Sequence, residues 1–162
     1  MGGLMKAHAA VLLIPVLLLS IVTIGLTGYT YDTYFNPNKD LYGNDVSSTL
    51  MSYTGPAATL AIAAVIAGVW YVIDKAESWV SAAAAFSTAL VAWAFGLVAF
   101  GFACKHASVG NRAPFGSDYI SDYSLAGQLK GLSGVTIVLF IFETAYVILL
   151  KLANDGSSVF AG

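Results

Sequence analysis

The stretch at residues 134–150, GVTIVLFIFETAYVILL, is apolar along almost its whole length and carries one carboxylate, Glu143. A run of this length is close to the roughly 20 residues that an α-helix needs to cross a hydrocarbon core about 30 Å thick. Backbone groups in lipid must be satisfied within the segment, so the run is expected to be a transmembrane helix. The fold then depends on how many such runs the chain contains, and the functional question is why this one carries an acid.

The composition of the whole chain is that of an integral membrane protein. Of its 162 residues, 58% are hydrophobic and 10% are charged, against roughly 45–50% and about 25% in soluble domains. The formal net charge is −2 and no basic tract occurs. Membrane lipids are therefore expected partners, whereas nucleic acid is not.

Three further apolar runs precede the first one and predict a bundle of four helices. The N-terminal run is longer than the apolar part of a secretory signal, about 7–15 residues, and is therefore expected to be a span. We predict an all-α integral membrane four-helix bundle, a single domain over residues 1–162, with both termini on the same side. The predicted spans are residues 7–29, 56–73, 80–104 and 131–150.

Short connections and small residues predict how these helices pack. Residues 74–78, DKAES, are expected to form a tight turn that makes helices 2 and 3 an antiparallel hairpin. Small residues recur at steps of three and four, which permits close approach of helix backbones in lipid. We expect these faces to pack inside the chain; a contact with another subunit is the alternative. The series are Ala57, Ala61, Ala64 and Gly68 on helix 2, Ala85, Ala89, Ala92, Gly96, Ala99 and Ala103 on helix 3, and, more weakly, Gly127, Gly131 and Gly134 before helix 4.

Glu143 has no charged companion at its depth in the membrane. Lys151 follows about 12 Å further along the helix and cannot neutralise it directly. A charged side chain at the helix centre costs about 2.5–3.5 kcal/mol on insertion scales, so Glu143 is expected to face the interior, largely as the neutral acid. Helix 3 enters from the same side as the end of helix 4. The candidate polar layer at this depth consists of Glu143, Thr144, Tyr146, Ser87, Thr88 and Ser20.

The polar layer has two interpretations. An intramembrane acid is by default a functional-site hypothesis. The alternative is structural, with a protonated Glu143 that hydrogen-bonds between helices, a contact worth about 0.6 kcal/mol on average. The candidates for substrate binding or proton relay are Glu143, Tyr146, Ser87, Thr88 and Ser20, and the candidates for recruiting an anion at one mouth are Lys105, Arg112 and Lys130.

Enzymatic chemistry is not indicated. His8 and His106 are expected on opposite sides of the membrane, so they do not form a shared metal or catalytic site. No nucleotide-binding loop, catalytic triad or carboxylate pair occurs in the sequence. We therefore expect no enzyme, no catalytic residue, no metal and no cofactor.

Several short segments occur in one order along the spans and their borders. They are Met5-Lys6, GPAAT (55–59), AVIAG (64–68), Ser78-Trp79 and AWAFGLVAFGFACKH (92–106). In this order and spacing they resemble the plant AWPM-like proteins, a family named for an abscisic-acid-induced wheat plasma membrane polypeptide. The resemblance covers residues 4–106 and 131–150, and it is carried by the common order of segments that are weakly specific one by one.

The resemblance implies a four-helix plasma-membrane protein associated with abscisic acid, dehydration and cold responses, with a relative regarded as an abscisic acid importer. The chain departs from what the resemblance implies in three places. The family would have a basic or His-containing turn between helices 2 and 3, a shorter loop than residues 105–130, and an amide at the position of Glu143. Tyr146, in contrast, matches the residue that the resemblance implies. An ionised Glu143 would repel a carboxylate hormone. The chain therefore departs from the family where a substrate acid would bind.

Two functions are compatible with these features. The first is a plasma-membrane protein of this family, either a small-molecule permease, with a small organic acid such as abscisic acid as its ligand, or a membrane stress protein. The second is a structural accessory subunit that packs against a larger photosynthetic or respiratory complex in an organellar membrane; homo-oligomerisation is compatible with either. Glu143 pointing inward among Ser20, Ser87 and Thr88 favours the permease, and Glu143 or the small-residue series pointing outward favours the subunit.

Overall fold

The computed structural model describes residues 2–34, 45–74, 79–109 and 123–158, and each of these ranges holds one long α-helix. The helices are α1 (Gly2–Tyr34), α2 (Asp45–Ile73), α3 (Trp79–Val109) and α4 (Tyr123–Ser158). Each contains a segment that is long and apolar enough to cross a membrane, namely Lys6–Thr33, Ser47–Ile73, Val80–Ser108 and Gly127–Ala153. The prediction of an all-α membrane protein with four spanning helices is confirmed.

The helices extend beyond the predicted spans because an apolar run marks the lipid-crossing part of a helix and not its ends. α2 begins at Asp45, well before the predicted start at residue 56. Its added turns are polar in composition, but Leu50 and Met51 are buried there and stabilise the helical extension. α4 continues to Ser158, past the predicted end at residue 150.

Three predictions are not decided by the described residues. The tight turn between helices 2 and 3 falls on residues 75–78, which lie outside them. The prediction of a single domain stays a prediction. The side of the membrane on which the two termini lie also stays a prediction, since the side-chain contacts fix only how the helices run relative to one another.

α1 and α2 run antiparallel. Near the start of α1, Lys6 Nζ donates a hydrogen bond of 3.4 Å to the carbonyl of Asp74, which follows the last residue of α2. Towards the other end, Thr27 Oγ1 lies 3.1 Å from Thr54 Oγ1. The same lysine lies over the ring of Tyr71, 4.7 Å from its centroid.

The next two pairs of helices are antiparallel in the same way, and α1 packs along α4 to close a ring of four. Tyr53, early in α2, stacks on Phe102, late in α3, with 5.7 Å between ring centroids. His106, at the end of α3, meets Ser133, near the start of α4. We call the end of the bundle where these contacts lie the loop end, and the opposite one, where Lys6 meets Asp74, the terminal end.

Buried residues repeat at alternating steps of three and four on all four helices. This spacing is the seam of a left-handed bundle, in which neighbouring helices cross at about 20°. The seam residues are Ala9, Leu13, Val16, Ser20, Thr23, Thr27 and Thr30 on α1; Ser47, Leu50, Thr54, Ala57, Ala61, Ala64 and Gly68 on α2; Ala85, Ala89, Ala92, Gly96, Ala99, Ala103 and His106 on α3; and Leu129, Leu132, Thr136, Leu139, Glu143, Tyr146, Leu150 and Ala153 on α4.

The small-residue series of α2 and α3 face the interior of the chain, as predicted. Ala61, Ala85 and Ala99 are each 0% exposed, and the other members of both series are buried as well. Close approach of α2 and α3 along these positions supplies van der Waals contact where lipid removes the hydrophobic incentive for helices to associate.

The weaker prediction, a third inward-facing series at the start of α4, is wrong. Gly127, Gly131 and Gly134 are exposed, and a Cβ built on any of them meets nothing within 4 Å. The interior positions in this part of α4 are taken by Leu129 and Leu132, both 0% exposed. The glycines share one face of the helix, but it points away from the other three helices.

Ala61→Leu tests the inward seam against its lipid-facing control, Ala63→Leu. Added methylenes at Ala61 have no free volume and should lower the free energy of unfolding by about 1–3 kcal/mol, whereas Ala63 is exposed and tolerates the larger side chain. Unfolding of the two purified variants in mild detergent measures the difference. Equal stability of the two variants would contradict the packing described.

Candidate functional site

The buried polar side chains are concentrated at the loop end of the bundle. The buried hydroxyls of α1 lie in its second half, those of α2 near its start and those of α4 before Glu143, and His106 lies near the end of α3. At the terminal end the described seams hold Ala9, Leu13, Ala85, Leu150 and Ala153, with Ser81 nearby as a buried hydroxyl. The interior is therefore polar at one end and apolar at the other, and Glu143 lies between the two.

A row of hydroxyls lines α1 through the polar end. Ser20, Thr23, Thr27 and Thr30 each donate to the carbonyl four residues earlier, at 2.7, 2.8, 2.7 and 2.6 Å. These bonds satisfy the donors, while the lone pairs of the hydroxyl oxygens remain able to accept. The sequence analysis named only Ser20. The three threonines follow it at alternating steps of three and four residues, and this spacing could have identified them as one buried face of α1.

Glu143 points into the bundle and lies against Gly96 of α3. Glu143 is 4% exposed, and neither of its carboxyl oxygens has a hydrogen-bond partner among the described residues. A Cβ built on Gly96 would stand 2.5 Å from Oε2 of Glu143 and 3.3 Å from Cδ2 of Phe140. Gly96 is thus the seam position whose missing side chain leaves room for the carboxyl.

Tyr146 repeats this arrangement against α2. The residue is 2% exposed and its hydroxyl has no hydrogen-bond partner among the described residues. A Cβ on Gly68 would collide with this hydroxyl and would stand 2.8 Å from Cδ2 of Leu13. Each inward seam therefore has a glycine where a polar group of α4 enters it, which explains why alanine does not occupy these two positions.

The structure brings together only part of the predicted polar layer. Glu143, Tyr146 and Ser20 are buried in the interior. Ser87, in contrast, is exposed and donates to the carbonyl of Ala84 at 3.2 Å. Placing it beside Glu143 was wrong, because the buried seam of α3 runs through Ala85 and Ala89 and leaves residue 87 on the outer face.

Thr88 is half-buried and donates to the carbonyl of Ala84 at 2.8 Å, so its hydroxyl is used within its own helix. It also lies at a different depth from Glu143, because Gly96 is the contact on α3, about 12 Å further along. The error in depth arises because α4 continues well past its predicted end, whereas α3 begins almost where predicted. Thr144 lies on the flank, where it accepts a hydrogen bond of 3.0 Å from Trp93 Nε1.

A buried polar pair, His106 and Ser133, lies nearer the loop end, and the sequence analysis had considered His106 only as a partner of His8. His106 is 1% exposed, its Nδ1 lies 3.2 Å from Ser133 Oγ, and its Nε2 has no hydrogen-bond partner among the described residues. Ser133 Oγ also donates to the carbonyl of Leu129 at 2.9 Å. Sequence alone gave no signal for this pair, since its members are 27 positions apart on two helices.

The predicted anion-recruiting residues are only partly described. Lys105 directly precedes His106 on α3. Lys130 lies about one helical turn before Ser133 on α4, and both lysines are exposed at the loop end. Arg112 lies outside the described residues. No lysine or arginine in the described ranges is buried, so none of those described lies beside the buried Glu143.

Comparison with known proteins places these features in a family. A sequence model described as the AWPM-19-like family matches residues 23–153. The rice protein named membrane protein PM19L, from Oryza sativa subsp. japonica, is 27% identical over an alignment of 155 residues. The alignment covers 93% of this chain and 80% of the rice protein. No solved structure matches the chain. The resemblance drawn from the sequence is confirmed, and the matched region includes Glu143, Tyr146, His106 and Ser133.

Gly68→Ala and Gly96→Ala are expected to differ in their effect on stability. The new methyl at Gly68 meets a buried tyrosine and should cost about 1–3 kcal/mol of unfolding free energy. At Gly96 it meets the flexible end of Glu143, which can shift, so the loss should be smaller. Gly101→Ala on α3 is the control, because a Cβ there meets nothing within 4 Å. Thermal unfolding in detergent measures all three, and a stability ranking that places Gly101→Ala lowest would refute the contacts described.

Proposed function

The chain belongs to the AWPM-19-like family, and from this premise we propose that it is a small-molecule permease whose substrate contacts Glu143. The observation that carries the proposal is the buried carboxyl that has no hydrogen-bond partner among the described residues. Burying a polar group without a partner costs free energy, and an intramembrane acid facing the bundle interior is by default a functional site. A ligand that shares a hydrogen with the carboxyl would remove that cost.

The first candidate substrate is a small organic acid, abscisic acid in particular, as the family resemblance implies. Two carboxyl groups held close together in a dry interior cannot both be ionised, so they share one proton. The absence of a buried lysine or arginine from the described residues supports this assignment, because only a proton is then at hand to neutralise the pair. Glu143 would accordingly bind the acid together with one proton.

The distribution of polar residues supports entry from the loop end. Lys105 and Lys130 are exposed at that mouth and would attract an organic anion. Below it on α1 lie the buried hydroxyls of Thr27, Thr23 and Ser20. Beyond Glu143 the seams are largely apolar, so passage to the terminal end requires the helices to separate there. The family resemblance implies that the plasma membrane is the membrane in which the protein works.

Uptake of labelled abscisic acid into proteoliposomes, corrected for uptake into protein-free vesicles, tests the proposal. Wild-type uptake should rise when an inward proton gradient is imposed. Glu143→Leu removes the hydrogen-bonding group and should lower uptake by about tenfold or more, since a hydrogen bond to a charged group is worth about 1.5–3 kcal/mol. Glu143→Gln keeps an amide that can hydrogen-bond to the substrate but shares no proton, so its uptake should lose the dependence on the gradient.

The matched control for these variants is Asp32→Asn, a carboxylate-to-amide change at an exposed position near the end of α1. It should behave like wild type in both assays. If Glu143→Leu and Glu143→Gln, inserted in equal amounts, transport no differently from wild type, the assignment of Glu143 is refuted. If wild-type protein transports no faster than protein-free vesicles, abscisic acid is not the substrate.

The alternative function, an accessory subunit of a larger membrane complex, is favoured by one surface feature. The outward-facing Gly127, Gly131 and Gly134 would let a helix of another protein approach α4 closely. Against it, Glu143 and the longer small-residue series point inward, which is the arrangement that favours a site within the chain.

Extraction from native membranes in a mild detergent, followed by sizing and mass spectrometry of co-migrating proteins, separates the two functions. The permease should migrate alone or as a small homo-oligomer. Co-migration with a larger assembly, lost in a Gly131→Leu variant but kept in an Ile141→Leu variant at another exposed position of α4, would instead establish the accessory role.

A further inference from the structure

The two contacts of Ser133 favour one tautomer of the His106 ring. The Ser133 hydroxyl has one hydrogen, and the carbonyl of Leu129, at 2.9 Å, is the nearer acceptor for it. With that hydrogen on the carbonyl, Ser133 Oγ accepts from His106 Nδ1, which lies 3.2 Å away and then carries the ring hydrogen. In the neutral ring Nε2 is then a bare lone pair, buried and without a hydrogen-bond partner among the described residues.

His106 and Glu143 lie on one interface, between α3 and α4. His106 meets Ser133, and Gly96 meets Glu143, so the two contacts are spaced by the same number of residues on both helices, about 15 Å along their axes. The seam residues between them are small on α3, where Ala99 and Ala103 are each 0% exposed.

On α4 the gap holds a buried hydroxyl, Thr136, which donates to the carbonyl of Leu132 at 2.7 Å and keeps its lone pairs to accept from water. α1 adds the hydroxyls of Thr23 and Thr27 to the same half of the bundle. These hydroxyl oxygens supply the acceptors that ordered water between buried polar groups requires, and Leu139 is the one buried apolar seam residue of α4 in the gap.

We propose that His106, oriented by Ser133, carries protons between the water at the loop end and the carboxyl of Glu143. Nε2 takes a proton that water delivers from the loop end, and the ring becomes imidazolium. The imidazolium then releases one proton, through water held by the hydroxyls between the two sites, to the carboxylate of Glu143. The step turns an imidazolium and a carboxylate into a neutral ring and a neutral acid, so charge and protons balance.

Few other titratable groups face this route among the described residues. On α3, Lys105 adjoins His106 and is exposed, and from α4 Lys130 is near enough to act on the ring electrostatically. Next to Glu143 on α4 is Tyr146, and Tyr71 of α2 is near enough to interact electrostatically with its hydroxyl. The seam of α1 contributes hydroxyls to the polar half and no ionisable side chain.

The terminal end offers no comparable relay. Towards that end the described seams hold the buried hydroxyl of Tyr146, beside Leu13 and Gly68, with Ser81 nearby. They hold no buried histidine, because His8 is exposed near the start of α1. The inference rests on the proposed function of Glu143 as a proton-sharing group, but it concerns a different residue and is tested without a transport substrate.

The test is the rate at which the Glu143 carboxyl exchanges hydrogen for deuterium, followed by infrared spectroscopy of the full chain in liposomes moved into D₂O. The band of the neutral carboxyl is identified as the one missing in Glu143→Gln. His106→Phe and His106→Gln should slow the deuterium shift of this band by about tenfold or more, and Ser133→Ala should slow it less. His8→Gln is the matched control and should leave the rate unchanged.

Two histidine variants are used because phenylalanine removes the ring nitrogens, whereas glutamine keeps a polar side chain that cannot relay a proton. Unchanged exchange in both variants, equal slowing by His8→Gln, or the lack of a neutral-carboxyl band that Glu143→Gln removes would each overturn the relay. If uptake proves independent of Glu143 while exchange still depends on His106, the relay stands and the permease proposal falls. If the exchange rate does not depend on His106 while Glu143→Leu still abolishes uptake, the permease proposal stands and the relay is refuted.

Discussion

The close approach of α2 and α3 along their small-residue seams is the interaction on which the other features depend. In lipid, helices gain nothing from hiding apolar surface, so contact has to come from backbones that approach closely. Alanines such as Ala61 and Ala99 permit this approach along most of the seam. Where the series has glycine in place of alanine, at Gly68 and Gly96, the extra volume admits the polar groups of Tyr146 and Glu143. One pattern of small residues thus holds the bundle together and also determines where polar atoms enter it.

The second organising feature is the difference between the two ends of the interior. Hydroxyls that hydrogen-bond to their own helix are tolerated in a membrane protein, and the loop end contains most of the buried ones described. Glu143 lies where this polar half meets the apolar half. Under the proposed function, a carboxyl in this position would take up protons from the loop end more readily than from the terminal end.

The resemblance implies an amide in relatives at the position of Glu143. An amide of the same size offers hydrogen bonds of fixed direction, whereas a carboxyl also stores a proton. The permease proposal and the relay proposal both rest on the proton that the Glu143 carboxyl can hold. The glycine that accommodates residue 143 and the seam around it would suit either side chain, so the change alters chemistry without requiring a different fold.

The sequence by itself determined the class of protein, the four spans, the inward face of α2 and α3 and the burial of Glu143, because apolar length and residue spacing are properties of each helix alone. It did not determine which residues lie at the same depth. Ser87 was placed beside Glu143 and Gly96 was not, since depth was counted from the apolar limits of the spans while α4 continues to Ser158. The pairing of His106 with Ser133 was likewise decided only by tertiary structure, because relative depth depends on where helices end and how their seams mesh, and neither is encoded in the hydropathy of one helix.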